Sequence, residues 1–165
     1  MDQLAADLKR VLLRDLEAFR REIALFPDDA TLWRTVPGVA NSAGNLAVHV
    51  AGGLQHFIGA VLGGSGFKRD REGEFTTRDL SRADVTAGLD AAAAALRALD
   101  TLPAARLDEP FPAAPGGAVL STRAFLLHLV GHTAFHLGQA GYLRRVLTGQ
   151  SASSGAMSVK ELSSS

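Results

Sequence analysis

The sequence predicts an all-α protein built as a four-helix bundle, and three observations carry that reading. Apolar residues recur in steps of three and four along several long stretches. Helix-capping residues stand at the start of most of those stretches. No strand-like alternation runs for a useful length, and no internal repeat breaks the pattern. The 165 residues suit one domain, 1–149, followed by a Ser-rich tail, 150–165.

The first helix is read from Asp2 to Phe26. Leu4, Leu8, Leu12, Leu16, Phe19, Ile23 and Phe26 form one stripe, and charges such as Lys9, Arg14, Glu17 and Arg21 occupy the remaining circumference. Pro27 closes it, and Asp28-Asp29 opens a connection in which Trp33 is the main apolar anchor. A second helix is expected from Ser42, capped by Asn41 or Ser42, to about Leu62. Gly52 and Gly53 each weaken it by about 1 kcal/mol, so their presence implies that another helix or a ligand comes close. Gly63-Gly64-Ser65-Gly66 ends this helix and begins a long polar connection through Arg78.

Ser81 and Asp84 have the spacing of a capping box, which starts a third helix through Val85, Leu89, Ala92, Leu96 and Leu99. Between Thr101 and Leu120, four prolines and Gly116-Gly117 require a loop. Ser121 then caps a fourth helix, Thr122 to Thr148, with Gly149 just past its end. Beyond Gln150 the tail has little to bury and is expected to be disordered.

Composition narrows the chemistry. The chain has no cysteine, which removes thiolate nucleophiles, cysteine-type zinc sites, iron–sulfur clusters and disulfides together. Lys+Arg and Asp+Glu both number 17, so there is no basic excess or stripe of the kind a nucleic-acid partner needs. The first residues are acidic where a signal peptide needs basic ones. The apolar stretch from Leu46 to Leu62 is interrupted by His49, Gln55, His56 and two glycines, a load that a lipid-facing helix rarely carries. A soluble, cytoplasmic protein with no membrane partner is expected.

All five histidines fall on two helices: His49 and His56 on the second, His128, His132 and His136 on the fourth. Residues four apart on a helix differ by about 40° in azimuth and about 6 Å in height, so His132 and His136 can aim at one point. That H-x-x-x-H spacing is the one helical metal sites use. Thr133, Ala134 and Phe135 lie between them, so the glutamate base of the H-E-x-x-H zinc proteins is missing. Two imidazoles make a weak site, and helix two offers a third. His49 and His56 lie on nearly the same face, and spacing leaves the choice between them open. Three histidines with an open position are the arrangement of a catalytic rather than a structural metal.

Three motifs then carry a family resemblance. Asn41-Ser-Ala-Gly-Asn-Leu-Ala-Val-His-Val-Ala-Gly resembles the S-x-G-N-L-x-x-H-x-A-G signature of a branch of the DinB/YfiT-like superfamily. Arg69-Asp-Arg-Glu-Gly-Glu-Phe is similar to that branch's R-x-R-x-x-E-F stretch. His128-Leu-Val-Gly-His-Thr-Ala-Phe-His-Leu-Gly-Gln is similar to its H-x-x-E-H-x-x-x-H-x-G-Q run. The resemblance implies an up-down-down-up bundle, often dimeric, that holds a divalent metal, zinc or nickel. Carried over by motif, the ligands are His49, His132 and His136. His56 and His128 become pocket or supporting residues, and Asn45 and Gln139 become candidate orienting groups. One position departs from the pattern: the glutamate before the second motif histidine is Gly131.

The function implied is that of a metal-dependent enzyme, either a transferase acting with a small-molecule, low-molecular-weight thiol or a hydrolase. The alternative is a non-catalytic metal- or ligand-binding, stress-associated bundle. Lys68, Arg69 and Arg71 are the candidates for binding an anionic cosubstrate. A homodimer is expected from family habit and from the small-residue faces of helices two and three.

Overall fold

The computed structural model describes residues 2–163. Asp2 starts the first helix by accepting hydrogen bonds from the backbone N–H groups of Leu4 and Ala5, two donors that the first turn leaves unpaired. This helix, α1, runs Gln3–Ala24 and buries Leu8, Leu12, Leu16, Phe19 and Ile23, the stripe expected of it. Side chains of this kind contribute about 1.5–3 kcal/mol each when fully buried.

Two short helices stand where only connections were expected. In each, an aspartate read as loop is in fact a cap. Asp28 accepts from the Thr31 N–H and starts α2 (Asp29–Leu32). Asp70 accepts from the Gly73 N–H and starts α4 (Arg71–Thr76). Trp33 follows α2 as the expected anchor, nearly buried, with its indole N–H donating to the Leu80 carbonyl at 2.8 Å.

The second long helix begins as expected. Ser42 and Asn45 form a reciprocal capping box at the start of α3 (Ala43–Leu54). From Gln55 to Leu62 the helix continues with π-type hydrogen bonding, which changes the rotation per residue. Ser81 and Asp84 form the predicted capping box of α5 (Arg82–Ala95), which tightens into a 3-10 segment over Leu96–Thr101. Ser121 caps α6 (Thr122–Thr148), and Gly149 ends it at φ 68°, a left-handed conformation suited to glycine.

The chain is all-helical: among the described residues the one β-type pairing is an isolated bridge between Pro110 and Ser121. Helices α1 and α3 each pack against both α5 and α6, and the core fills the space between them. Some small residues of the π segment and α5 let these elements approach closely. A Cβ on Gly59, for example, would lie 3.0 Å from the Ala95 methyl. The stretch Ala43–Leu62 is long and apolar enough to cross a membrane by length and composition, at mean hydropathy 1.2, but 61% of its window is buried in the chain. A core helix passes the same test.

The proline-rich connection before α6 is packed rather than loose. Phe111 is 4% exposed, and its N–H donates to the Leu120 carbonyl. The segment after α6, expected to be a disordered tail, is placed against α1. Arg144, wholly buried, pairs with Glu22 and donates to the carbonyls of Gln150 and Ala152. Arg21 donates to the Ser154 carbonyl and pairs with Glu161. Buried arginine, which the apolar pattern could not reveal, supplies the partners for this backbone. The last two residues of that expected tail lie outside the described residues.

Candidate metal centre

Helix α3 delivers His49 and α6 delivers His132 and His136 to one point. The Nε2 atom of His132 lies 3.1 Å from the Nε2 of His49 and 3.1 Å from the Nε2 of His136. The ligand atoms of the three residues all lie within 4.8 Å of one another, so this group could hold a metal ion.

The opposite edges of two of these rings decide their tautomers. His49 Nδ1 lies 2.9 Å from Glu74 Oε2 and 3.2 Å from Arg69 Nη2. The shorter contact is to a carboxylate, so Nδ1 carries the proton and donates it to Glu74. His136 Nδ1 lies 2.8 Å from Gln139 Oε1, which can only accept, so this Nδ1 is protonated too. Both Nε2 atoms therefore present lone pairs toward His132. A single proton on His132 Nε2 cannot satisfy both. Converging lone pairs are what a divalent cation requires, and the three nitrogens are close enough for one ion to reach them all.

Electrostatics agree with neutral ligands. Burial, followed by the charges of His136, His49, His128 and Arg69, pushes the His132 pKa down from 6.5 to about 4. Burial lowers His136 as well, against the opposing hydrogen bond that it donates to Gln139. For Glu74, burial alone would raise the carboxyl, but bonds from His49 and Arg69 outweigh it and hold the group below its ordinary value.

Glu74 is the functional residue that the sequence reading quoted in a motif without giving it a role. It is 4% exposed and takes both the Nε and Nη2 of Arg69, at 2.6 and 2.8 Å. Arg69 is thus committed to this carboxylate rather than free for an anionic cosubstrate. Lys68 borders a separate groove, and the Arg71 guanidinium lies 5.5 Å over the Phe75 ring. Gly52 explains the approach: a Cβ there would overlap the Glu74 carboxylate. The close neighbour implied by the glycine pair is this side chain.

The remaining candidates divide. Asn45, wholly buried, does not face the histidines; its Nδ2 donates to the carbonyls of Glu74 and Thr77 and so pins α4 in place. His56 lies outside the cluster, packed edge-on against Phe57; seven residues on, it stands about 10 Å further along the helix than His49. Burial, then the nearby Arg69 charge, lowers its pKa. His128 is exposed, stacks on Phe125, and sits 5.7 Å from the His132 ring. Gly131 is exposed, and a Cβ there would meet nothing within 4 Å. Beside His49 and His132 lies a cavity of about 90 Å³ walled by Phe57, Phe125, Leu129, Pro115, Arg69 and His128.

An all-helical bundle that gathers three imidazoles from two helices, two of them oriented from behind by a carboxylate and an amide, defines a class of candidate metalloprotein. The chain belongs to the DinB superfamily, whose family model matches residues 12–140. No curated protein matches it.

Proposed function

We propose that the chain holds one divalent metal, zinc or nickel, on His49, His132 and His136, and uses it as a metal-dependent enzyme, a thiol S-transferase or a hydrolase. The convergence of the Nε2 lone pairs on one point, with the Nδ1 protons of His49 and His136 engaged elsewhere, carries this reading. A three-histidine site leaves a coordination position open, and a metal there lowers the pKa of a bound thiol or water near neutral pH.

The chain's own residues supply the rest. Glu74 fixes the His49 ring and makes its Nε2 more basic, and Gln139 does the same for His136. Phe57, Phe125 and Leu129 give the adjoining cavity apolar walls. With no cysteine in the protein, a thiol nucleophile would arrive on the cosubstrate. The up-down-down-up helix order and a cytoplasmic location belong to the same reading.

Gly131 favours a second reading, a metal-holding bundle without turnover, because the resemblance expects a carboxylate there. Elemental analysis of the purified protein tests the site: one metal per chain is expected, lost in His132→Ala. Metal absent, or unchanged in that variant, overturns it. A thiol-plus-electrophile assay and an ester-hydrolysis assay, each with several metals, separate the two readings, since only an enzyme shows metal-dependent turnover.

A further inference from the structure

We propose that the chain carries a second small-molecule site, apart from the three histidines, which takes an uncharged carbonyl compound with an apolar body and tunes the metal centre through Gln139. The site is a cavity of about 400 Å³ between α6, α3 and the connection that precedes α3. That size falls within the range of about 300–1,000 Å³ in which small molecules bind. None of the three histidines lines it, and the smaller cavity beside His49 and His132 shares no residue with it.

The sequence builds one wall as a fixed turn. In Val36-Pro37-Gly38-Val39 the Val39 N–H donates to the Val36 carbonyl at 3.0 Å, and Gly38 stands at φ 81°. Proline in second place and a glycine at positive φ in third are what a type II turn requires. The turn brings Val36 and Val39 to the same cavity as Leu46 of α3 and Leu143 and Val146 of α6. A wall set in this way has little order left to gain when a ligand arrives.

The lining selects the ligand. It contains no Asp, Glu, Lys or Arg, so nothing there compensates an ionised group. Three polar side chains border it, Asn41, Gln139 and Tyr142. Among the described residues, the Asn41 amide, the Tyr142 hydroxyl and the Gln139 Nε2 have no hydrogen-bond partner. All three can donate. A carbonyl oxygen, with two lone pairs, accepts from two of them while hydrocarbon covers the apolar wall.

Gln139 links the two sites. Its Oε1 accepts from His136 Nδ1 at 2.8 Å, and its Nε2 is left for a ligand. Hydrogen bonds in a chain polarise one another, so an amide that donates through nitrogen accepts more strongly at oxygen. A carbonyl compound on Nε2 therefore strengthens the bond behind His136, and with it His136 as a ligand. This coupling rests on the metal reading; the cavity and its ligand do not.

Acetophenone, ethylbenzene and benzoate share a ring and present respectively a neutral carbonyl, no acceptor and a charge. Titrated into the metal-free chain, acetophenone is expected to saturate and to move the side-chain amide NMR signal of Gln139. Ethylbenzene and benzoate are each expected to bind about fivefold more weakly, the worth of one hydrogen bond. Val39→Trp, at a position 42% exposed, fills the cavity from its rim. It should abolish the binding while unfolding temperature and zinc affinity stay those of wild type. In chelator competition, saturating acetophenone should tighten zinc about two- to threefold in wild type, a fraction of what losing such a partner costs, and leave Val39→Trp unchanged.

No saturable acetophenone binding, ethylbenzene bound as tightly, or equal binding in Val39→Trp overturns the site. Binding that appears only on dilution of the protein assigns the cavity to a second copy and overturns it too. Zinc affinity indifferent to bound acetophenone overturns the coupling. Zinc that does not bind at all defeats the metal reading and the coupling with it, while the metal-free titration still decides the cavity.

Discussion

Glu74 accepts a hydrogen bond from His49 Nδ1 at 2.9 Å while Arg69 grips both of its oxygens. A carboxylate behind an imidazole fixes its orientation and strengthens its far nitrogen as a ligand. Glu74→Gln should therefore weaken metal binding about 10–100-fold with the helical fold intact. Gly52→Ala should act in the same direction without touching a ligand, because its Cβ displaces the same carboxylate. Competition with a chromophoric chelator measures both, and unchanged affinity in both variants would show that Glu74 has no such role.

His56 and His49 give a sharper contrast. His49 belongs to the cluster and His56 does not. His49→Ala should empty the site, whereas His56→Ala should keep full metal occupancy by elemental analysis. Equal loss in the two variants would contradict the geometry.

Metal bound only by the folded chain raises its stability by mass action, about 2.7 kcal/mol at a free concentration one hundred times Kd. For a domain of this size that corresponds to a Tm increase of about 5–10 °C. Scanning calorimetry with zinc, and again with excess chelator, reads the difference. No change on chelation would mean that the imidazoles hold nothing.

Acid should destabilise the metal-free protein in a defined window. The His132 pKa falls from 6.5 to about 4 on folding, so between those values the unfolded chain binds a proton there that the folded chain does not. Stability contributed by this residue is present above 6.5 and is lost as pH falls toward about 4. Urea midpoints of the metal-free protein should decline across that window, and those of His132→Phe should decline less. Parallel curves for the two proteins would remove His132 as the source.

Removing one partner of the buried Arg144–Glu22 pair leaves a charge without compensation. Arg144→Met should cost about 3–5 kcal/mol in chemical denaturation. Glu22→Leu combined with Arg144→Met should recover part of that loss. A single variant within 1 kcal/mol of wild type, roughly the effect of an exposed pair, would show that the pair is solvated.

Local signals in the sequence carried far. The stripe of α1, the Ser81–Asp84 box and the Ser121–Gly149 limits of α6 each depend on residues a few positions apart, and each stands in the structure as expected. The His132–His136 pair was legible for the same reason. Glu74 was not, because its role depends on where Asn45 holds α4, a relation spanning 29 residues. A glycine pair one turn beyond His49, together with an acidic residue in the next motif, was the available clue. Spacing left His49 and His56 open as partners of the His132–His136 pair, because azimuth alone does not register the two turns of helix that separate them. The tail was read from its serines, while the contacts it makes, with Arg21 and Arg144, come from distant helices.

Helix α4 packs on α3, outside the set of long helices that share the core, and is fastened there through Asn45. The fold and the tuning of the site are therefore carried by different stretches of chain. Changes within 69–77 alter what stands behind the His49 ring while the core stays as it is. A bundle organised in this way can drift among chemistries by rewriting one short connection, and that same stretch offers a designer a dial separate from stability.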